Sequence, residues 1–196
     1  MKGTESVNLI SIIQLIDKEI KELWLTEIYY DYCSFSLLKE DSLKNSFYHH
    51  LRNRLTDEFL LKNSIRIFTE FSINGIRADL AIVKLSDTPG ENDYLQNSVE
   101  DILAIVEMKY KNHWNDTPFI KDIKKIKNCI KTFPYKNCQY YLAFIQEAVY
   151  EQNDFAWLTL KDIKWANGHV TELNGYYIEN NEQPVWKINS YNNLNN

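Results

Sequence analysis

Glycine, proline and cysteine are scarce in this chain, which has five glycines, four prolines and three cysteines among 196 residues. No glycine-rich phosphate-binding loop is present, which argues against an ATP-driven activity within the chain. A zinc site made of Cys129, Cys138 and His113 would lack the usual spacing, because the sequence has no C-x-x-C pair. An odd number of cysteines in an ordinary-sized chain is typical of a reduced protein.

Long apolar runs and an excess of basic residues are missing as well. No stretch approaches membrane-spanning length, and the first ten residues, MKGTESVNLI, lack the apolar segment of a secretory signal. We therefore expect a cytoplasmic protein that does not contact membranes. The net charge of −5 argues against non-specific binding to nucleic acid but leaves room for a local basic face. The length suits a single domain over 1–196.

Two apolar segments of the chain carry charged residues at one end. Asp79 opens one segment, and Glu107-Met108-Lys109 closes the next. Side chains alternate between two faces along a strand, so Glu107 and Lys109 share one face while Val106 and Met108 share the other. Charges at the end of an apolar strand are costly to bury without partners. Two carboxylates and a lysine brought together make a divalent-metal site with a cation beside it, which suits phosphodiester hydrolysis.

This arrangement resembles the PD-(D/E)xK nuclease superfamily, in which an aspartate opens one core strand and Asp/Glu-x-Lys closes the next. Asp79, Glu107 and Lys109 match that pattern. Ala78 stands where the family often has proline, and Arg77 fits an Arg-x-Asp variant of the motif.

The resemblance implies a restriction-endonuclease-like fold of the α/β (α+β) class. Its core, over 42–147, has the order αβββαβ, with a mixed sheet flanked by helices. Residues 1–40 would form an N-terminal helical extension, and 148–196 a C-terminal decoration that includes a hairpin. The implied activity is that of a Mg²⁺-dependent (or Mn²⁺-dependent) endonuclease acting on nucleic acid, with DNA favoured over RNA as the substrate. The alternatives are a catalytically inactive protein of this fold that serves as a binding or scaffold module, and an interaction module whose charges are only salt bridges.

The resemblance also assigns roles to single residues. Asp79 and Glu107 would bind the metal through their carboxylates, with the Met108 carbonyl as a further ligand. Hard oxygen ligands favour Mg²⁺ or Mn²⁺ over zinc. Lys109 would orient and help to deprotonate the attacking water, or stabilise the charge that develops on the phosphoryl group. The family often carries a glutamate on its first core helix, but the positions 48–50 of this sequence hold no acid.

Glu70 is a fourth candidate catalytic residue, because a predicted hairpin places it across from Asp79. Asn74-Gly75 between two strand-like segments predicts a two-residue type I′ turn. Like charges directly opposite each other are unfavourable unless a cation lies between them. We therefore expect either a metal or Arg77 at this point. Glu70 would bind the metal or hold a water molecule of its shell.

Periodicity and capping signals place the remaining elements. Helices are predicted over 5–24, from about 42 to 61, over 118–132 and over 154–165, and strands over 64–73, 79–83, 102–110, 139–145, 169–178 and 185–188.

The helix over 118–132 carries the densest basic face in the chain. A solvated helix face is one interpretation, and a phosphate-contacting face beside the Glu-x-Lys strand is the other. Asp122, in the same helix, resembles an aspartate that many of these nucleases carry there with a structural role. Specificity would come from loops, a homodimer or a partner protein. The candidate nucleic-acid-binding residues are Lys121, Lys124, Lys125, Arg77 and His113.

Overall fold

The computed structural model describes residues 8–73, 75–86, 94–133, 135, 137–150, 155–179 and 181–194. The helices are Leu9–Leu23 (α1), Tyr29–Cys33 (α2), Glu40–Leu55 (α3), Asp57–Lys62 (α4), Thr117–Thr132 (α5) and Leu160–Ala166 (α6). A π-helical segment, Trp24–Ile28, joins α1 to α2, and a 3₁₀ turn covers Leu95–Ser98. The strands are Ile65–Ile73 (β1), Ile76–Leu85 (β2), Val99–Lys111 (β3), Gln139–Tyr150 (β4), Val170–Ile178 (β5) and Val185–Ser190 (β6).

The six strands of the described residues form one mixed sheet in the order β1-β2-β3-β4-β5-β6. β1, β2 and β3 are antiparallel neighbours, β3, β4 and β5 are parallel, and β6 returns antiparallel to β5. The two parallel steps each cross over through a helix, α5 and then α6. This α+β arrangement confirms the predicted fold class, and the predicted C-terminal hairpin is β5–β6.

Helices cover both faces of the sheet. On one face, α1 and α3 bury residues such as Ile16 and Phe47 in a core that also contains Val106 of β3. On the other face, α5 buries residues such as Ile126 in a second core with Ile105 of β3. Neighbouring positions of β3 therefore face opposite layers, as the alternation predicts. Among the described residues, no helix is both long and apolar enough to cross a membrane.

The helix predicted from about 42 to 61 is wrong in its bounds, because the structure has two helices, α3 and α4. They are divided at Thr56, whose φ of 58° and ψ of 146° cannot continue a helix. The Thr56 side chain then accepts a hydrogen bond from the backbone N–H of Phe59 and caps α4. At the other end, the Ser42 hydroxyl accepts from the backbone N–H of Lys39, which moves the helix start to Glu40.

Other bounds also differ from those predicted. The first helix continues beyond residue 24, through the π-helical segment, to Cys33. The helix expected over 154–165 begins only at Leu160, where Thr159 and Asp162 form a capping box. Residues 5–7 of the first predicted helix and residue 154 of the last one lie outside the described residues.

The β1–β2 register is the predicted one, with pairs Ile73–Ile76, Ser72–Arg77 and Phe71–Ala78, resuming at Thr69–Leu80. The predicted pair Glu70–Asp79 is itself absent, because Glu70, whose φ is 49°, interrupts the ladder. Asn74, the first residue of the predicted turn, lies outside the described residues, and Gly75 has the positive φ, 80°, that such a turn requires.

Candidate active site

A cleft of about 690 Å³ opens at the end of the sheet where β2 begins and β3 ends. The first turns of α3 and α5 close it from the two helical layers. Among the described residues that line it, carboxylates and cationic groups are equally numerous. The carboxylates are Glu40, Glu70, Asp79, Glu107 and Asp122, and the cations are Lys44, Arg77, Lys109, Lys121 and Lys125.

Strand pairing brings Asp79 and Glu107 together. Leu80 pairs with Val106, so the next positions along these antiparallel strands, Asp79 and Glu107, are neighbours across β2 and β3. Asp79 Oδ2 accepts a hydrogen bond of 2.7 Å from the backbone N–H of Met108. Both carboxylates line the same cleft together with Lys109. The three residues named from the sequence thus meet at one end of the mixed sheet.

Glu107 is a buried carboxylate with a free oxygen. Its Oε2 lies 2.6 Å from the Lys125 ammonium of α5, while its Oε1 has no hydrogen-bond partner in the described part of the chain. Burial raises the pKa of Glu107 to about 8, although the nearby Lys125 acts to lower it. A buried oxygen without a partner is costly, so this atom favours an additional donor or a cation in the cleft.

Lys109 pairs with neither Asp79 nor Glu107. Its Nζ lies 3.2 Å from Glu40 and 3.3 Å from Asp122. Burial alone would lower the pKa of Lys109, but the carboxylates of Asp122, Glu40 and Asp79 outweigh it and raise that pKa. Lys109 is therefore held as an ammonium group, which suits the stabilisation of negative charge better than the removal of a proton.

A cation does lie between Glu70 and Asp79, but it is Lys44 of α3. Its Nζ is 2.8 Å from Glu70 Oε1, 2.9 Å from Asp79 Oδ1 and 3.4 Å from Glu40 Oε1. Burial opposes the charge, but hydrogen bonds to Glu70 and Asp79 raise the pKa of Lys44. Arg77, the partner expected from the sequence, is 80% exposed and lies 3.8 Å from Glu70.

Sequence reasoning missed Glu40, Lys44 and the inward position of Asp122 and Lys125. One signal was available, because Glu40 and Lys44 continue the buried stripe of Phe47 and Leu51 at four- and three-residue spacing. Glu40 is the carboxylate that α3 contributes to the lining of the cleft. It lies in the first turn of α3, about two turns before the positions where the resemblance places a glutamate.

Three of the five candidate nucleic-acid-binding residues line the cleft, and two do not. Lys121, Lys125 and Arg77 line the cleft, with Lys125 turned inward to Glu107. Lys124 is exposed on α5, and His113 is exposed in the loop before it, with Nδ1 3.0 Å from Asn112 Oδ1. Neither is among the residues that line the cleft.

Asp79 and Glu107 are the residues of the cleft that would hold a magnesium ion. No group of three or more His, Cys, Asp or Glu side chains placed for a metal ion occurs within the described ranges. Mg²⁺, however, is commonly held by only one or two carboxylates together with water and substrate phosphates. Asp79 and Glu107, which line the same cleft, and the unpartnered Glu107 Oε1 agree with that pattern. Cys129 and Cys138 are buried while His113 is exposed, and they form no zinc cluster.

No family model and no curated protein matches the sequence. Among solved structures, the chain is similar to NucC of P. aeruginosa ATCC27853 in a cAAA-bound form, with a TM-score of 0.40 and 10% identity over 97% of this chain and 88% of that chain. It is also similar to cAAA-bound NucC of E. coli MS115-1, with a TM-score of 0.38 and 10% identity over 99% and 88%. Similarities at these TM-scores carry no argument for function, so the function is inferred from the residues of the cleft.

Proposed function

We propose that this protein is a Mg²⁺- or Mn²⁺-dependent nuclease that hydrolyses phosphodiester bonds in the cleft at the end of β2 and β3. The observation that carries the proposal is the position of Lys109. In a module held together only by salt bridges, Lys109 would pair with Asp79 or Glu107 and the cavity would be closed. Instead, Lys109 pairs with Glu40 and Asp122, and the cleft is open.

The residues of the cleft take distinct roles in this reaction. Asp79, Glu107 and the Met108 carbonyl would hold the ion, and the ion when bound supplies Lewis-acid polarisation of a phosphoryl oxygen. The Lys109 ammonium stabilises the negative charge that develops on the phosphoryl group. Glu70, at the rim beside Asp79, is the supplementary acid.

Two lysines of α5 and one arginine of β2 would meet the substrate backbone. Lys121 and Arg77 are exposed residues of the cleft lining, where they can contact phosphates on either side of the scissile bond. Lys125 is 32% exposed and needs only to leave Glu107 to do the same. DNA is the expected substrate, on the resemblance to PD-(D/E)xK nucleases, and loops, a second copy or a partner protein would supply specificity.

A second candidate is a catalytically inactive protein of the same fold that serves as a binding or scaffold module. It is favoured by the internal contacts, since Lys44 already neutralises Asp79 and Lys125 already occupies one oxygen of Glu107. Calorimetric titration with Mn²⁺ separates the two candidates, because only the nuclease requires the ion to displace or share these partners.

The test is a cleavage assay on duplex DNA, single-stranded DNA and RNA with Mg²⁺, Mn²⁺ or EDTA. We expect cleavage of at least one substrate with either ion and none with EDTA. Glu107→Ala and Lys109→Ala should abolish cleavage without unfolding the protein, whereas Lys161→Ala, an exposed lysine of α6, should retain it. Absence of cleavage under every condition, or full activity of Lys109→Ala, would contradict the proposal.

A further inference from the structure

The Lys44 ammonium group lies where carboxylates from three elements meet. Glu40 comes from its own helix, Glu70 from β1 and Asp79 from β2, and all three are within 3.4 Å of Nζ. The side chains of Lys44 and Asp79 are only 13% and 14% exposed, so water screens this contact weakly. Lys44 therefore lies beside Asp79, the carboxylate that the proposed function makes a metal ligand.

The other cations of the cleft have different partners. Lys109 is held by Glu40 and Asp122, and Lys125 by Glu107. Within the described ranges, no other ion pair reaches Asp79. The charge of this carboxylate is thus balanced by Lys44, together with the hydrogen bond from the Met108 backbone N–H.

An ammonium group and a divalent ion repel each other when both stand against one carboxylate. We propose that Lys44 is a built-in counter-cation, which neutralises Asp79 and Glu70 in the metal-free protein and competes with the divalent ion for Asp79. Lys44 has this role only if Asp79 is a metal ligand, so the inference rests on the proposed function. In this role, Lys44 stabilises the metal-free cleft and lowers its affinity for the ion.

Competition predicts opposite effects of one substitution on two measurements. Lys44→Met should tighten Mn²⁺ binding on the order of tenfold, which corresponds to about 1.4 kcal/mol. In EDTA the same variant should melt at a lower temperature than the wild type, because Glu40, Glu70 and Asp79 then face one another without their shared cation. Saturating Mn²⁺ should close this gap, since the ion replaces the missing charge.

The experiment is calorimetric titration of the whole chain with Mn²⁺, beside melting curves in EDTA and in excess Mn²⁺. Lys121→Met is the matched control, because Lys121 lines the same cleft but makes no ion pair in the described part of the chain. It removes the same charge at longer range, so its Mn²⁺ affinity should change much less than that of Lys44→Met. If Lys44→Met does not fold without metal, Lys44→Gln keeps a hydrogen-bond donor near the carboxylates and should show the same direction of change.

The outcomes separate this inference from the proposed function. If the wild type binds Mn²⁺ and Asp79→Asn does not, yet Lys44→Met binds no more tightly than Lys121→Met, the counter-cation role is wrong and the metal site stands. If neither the wild type nor either Lys44 variant binds Mn²⁺, both proposals fail. Tighter binding by Lys44→Met alone, with its lower melting temperature in EDTA, supports both.

Discussion

At the scale of single residues, the cleft is defined by how each charge is balanced. Glu107 is an unfavourably placed carboxylate, because one of its oxygens is paired to Lys125 while the other has no hydrogen-bond partner among the described residues. The metal-free protein therefore retains an unfavourable buried carboxylate, as is common at functional sites that are completed by a ligand. This imbalance gives the protein a pH dependence that can be measured without any substrate.

Glu107→Gln should stabilise the metal-free protein more at pH 8 than at pH 5. The folded-state pKa of about 8 lies above the ordinary value of 4.5, so between these pH values the folded chain keeps a proton that the unfolded chain has released. Stability of the wild type consequently falls as the pH rises through this window, and the neutral glutamine removes that fall. Lys125, at 32% exposed, can turn to water when it loses its partner.

The measurement is urea unfolding of both proteins in EDTA at the two pH values. Glu58→Gln, at an exposed position of α4, is the control and should differ from the wild type equally at both. An advantage of Glu107→Gln that is the same at pH 5 and pH 8 would show that Glu107 is not held protonated.

Glu70→Gln should lower the stability of the metal-free protein slightly instead of raising it. Repulsion between Glu70 and Asp79 would predict a gain, but Lys44 already lies between them. The loss should be below about 1 kcal/mol, because Glu70 is 55% exposed and water screens its ion pair. A melting curve in EDTA that rises for Glu70→Gln would show that Lys44 does not offset the repulsion.

At the scale of elements, prediction from sequence succeeded where structure is local. The ends of β2 and β3 were predicted to carry Asp79, Glu107 and Lys109, because alternation and a run of apolar residues fix which side chains share a face. The β1–β2 register followed from Asn74-Gly75 in the same way.

The rest of the cleft depends on contacts that the local pattern does not contain. Glu40 lies at the cleft because α3 begins there, where the Ser42 hydroxyl accepts a hydrogen bond from the backbone N–H of Lys39. Many serines in a sequence could make such a contact, so the serine alone does not predict where the helix begins. Asp122 and Lys125 enter because α5 packs across β3, which sets the helix rotation only in the folded protein.

The break between α3 and α4 gives a prediction at this scale. Thr56 has a φ of 58° and a ψ of 146°, a backbone region that favours glycine, while its side chain caps α4. Thr56→Gly should raise the free energy of unfolding by about 1 kcal/mol, because it relieves the strain and glycine is a tolerated cap. Thr56→Ala should lower it by about 1 kcal/mol, because it loses the cap and keeps the strain. Chemical denaturation measures both free energies of unfolding. If the two substitutions change the free energy of unfolding in the same direction, this explanation is wrong.

At the scale of the whole molecule, the N- and C-terminal segments are tied to the sheet by a buried polar network. Asp17 of α1 is fully buried and accepts hydrogen bonds from Tyr141 of β4 and from Asn192, in addition to its 2.6 Å ion pair with Lys21. Helix, sheet and C-terminal segment therefore share one interior, and we expect 1–196 to unfold as a single domain in one transition.

Asp17→Ala should lower the stability of the whole molecule by about 3 kcal/mol or more, because it leaves Lys21 and the Tyr141 hydroxyl without their partner in a buried site. Glu22→Ala, which removes a half-exposed carboxylate of the same helix, is the control and should cost about 1 kcal/mol or less. Unfolding followed by circular dichroism and by tryptophan fluorescence should coincide for the wild type. Two separated transitions would show that the N-terminal helix is not part of the central domain.

The most direct test of the candidate active site is a crystal structure determined from crystals soaked in Mn²⁺, with anomalous scattering recorded at the manganese edge. We expect one strong anomalous peak in the cleft, in contact with carboxylate oxygens of both Asp79 and Glu107, with Lys44 moved away from Asp79. A cleft without an anomalous peak at saturating Mn²⁺, with Lys44 still bound between Glu70 and Asp79, would contradict the assignment of a metal-dependent nuclease site.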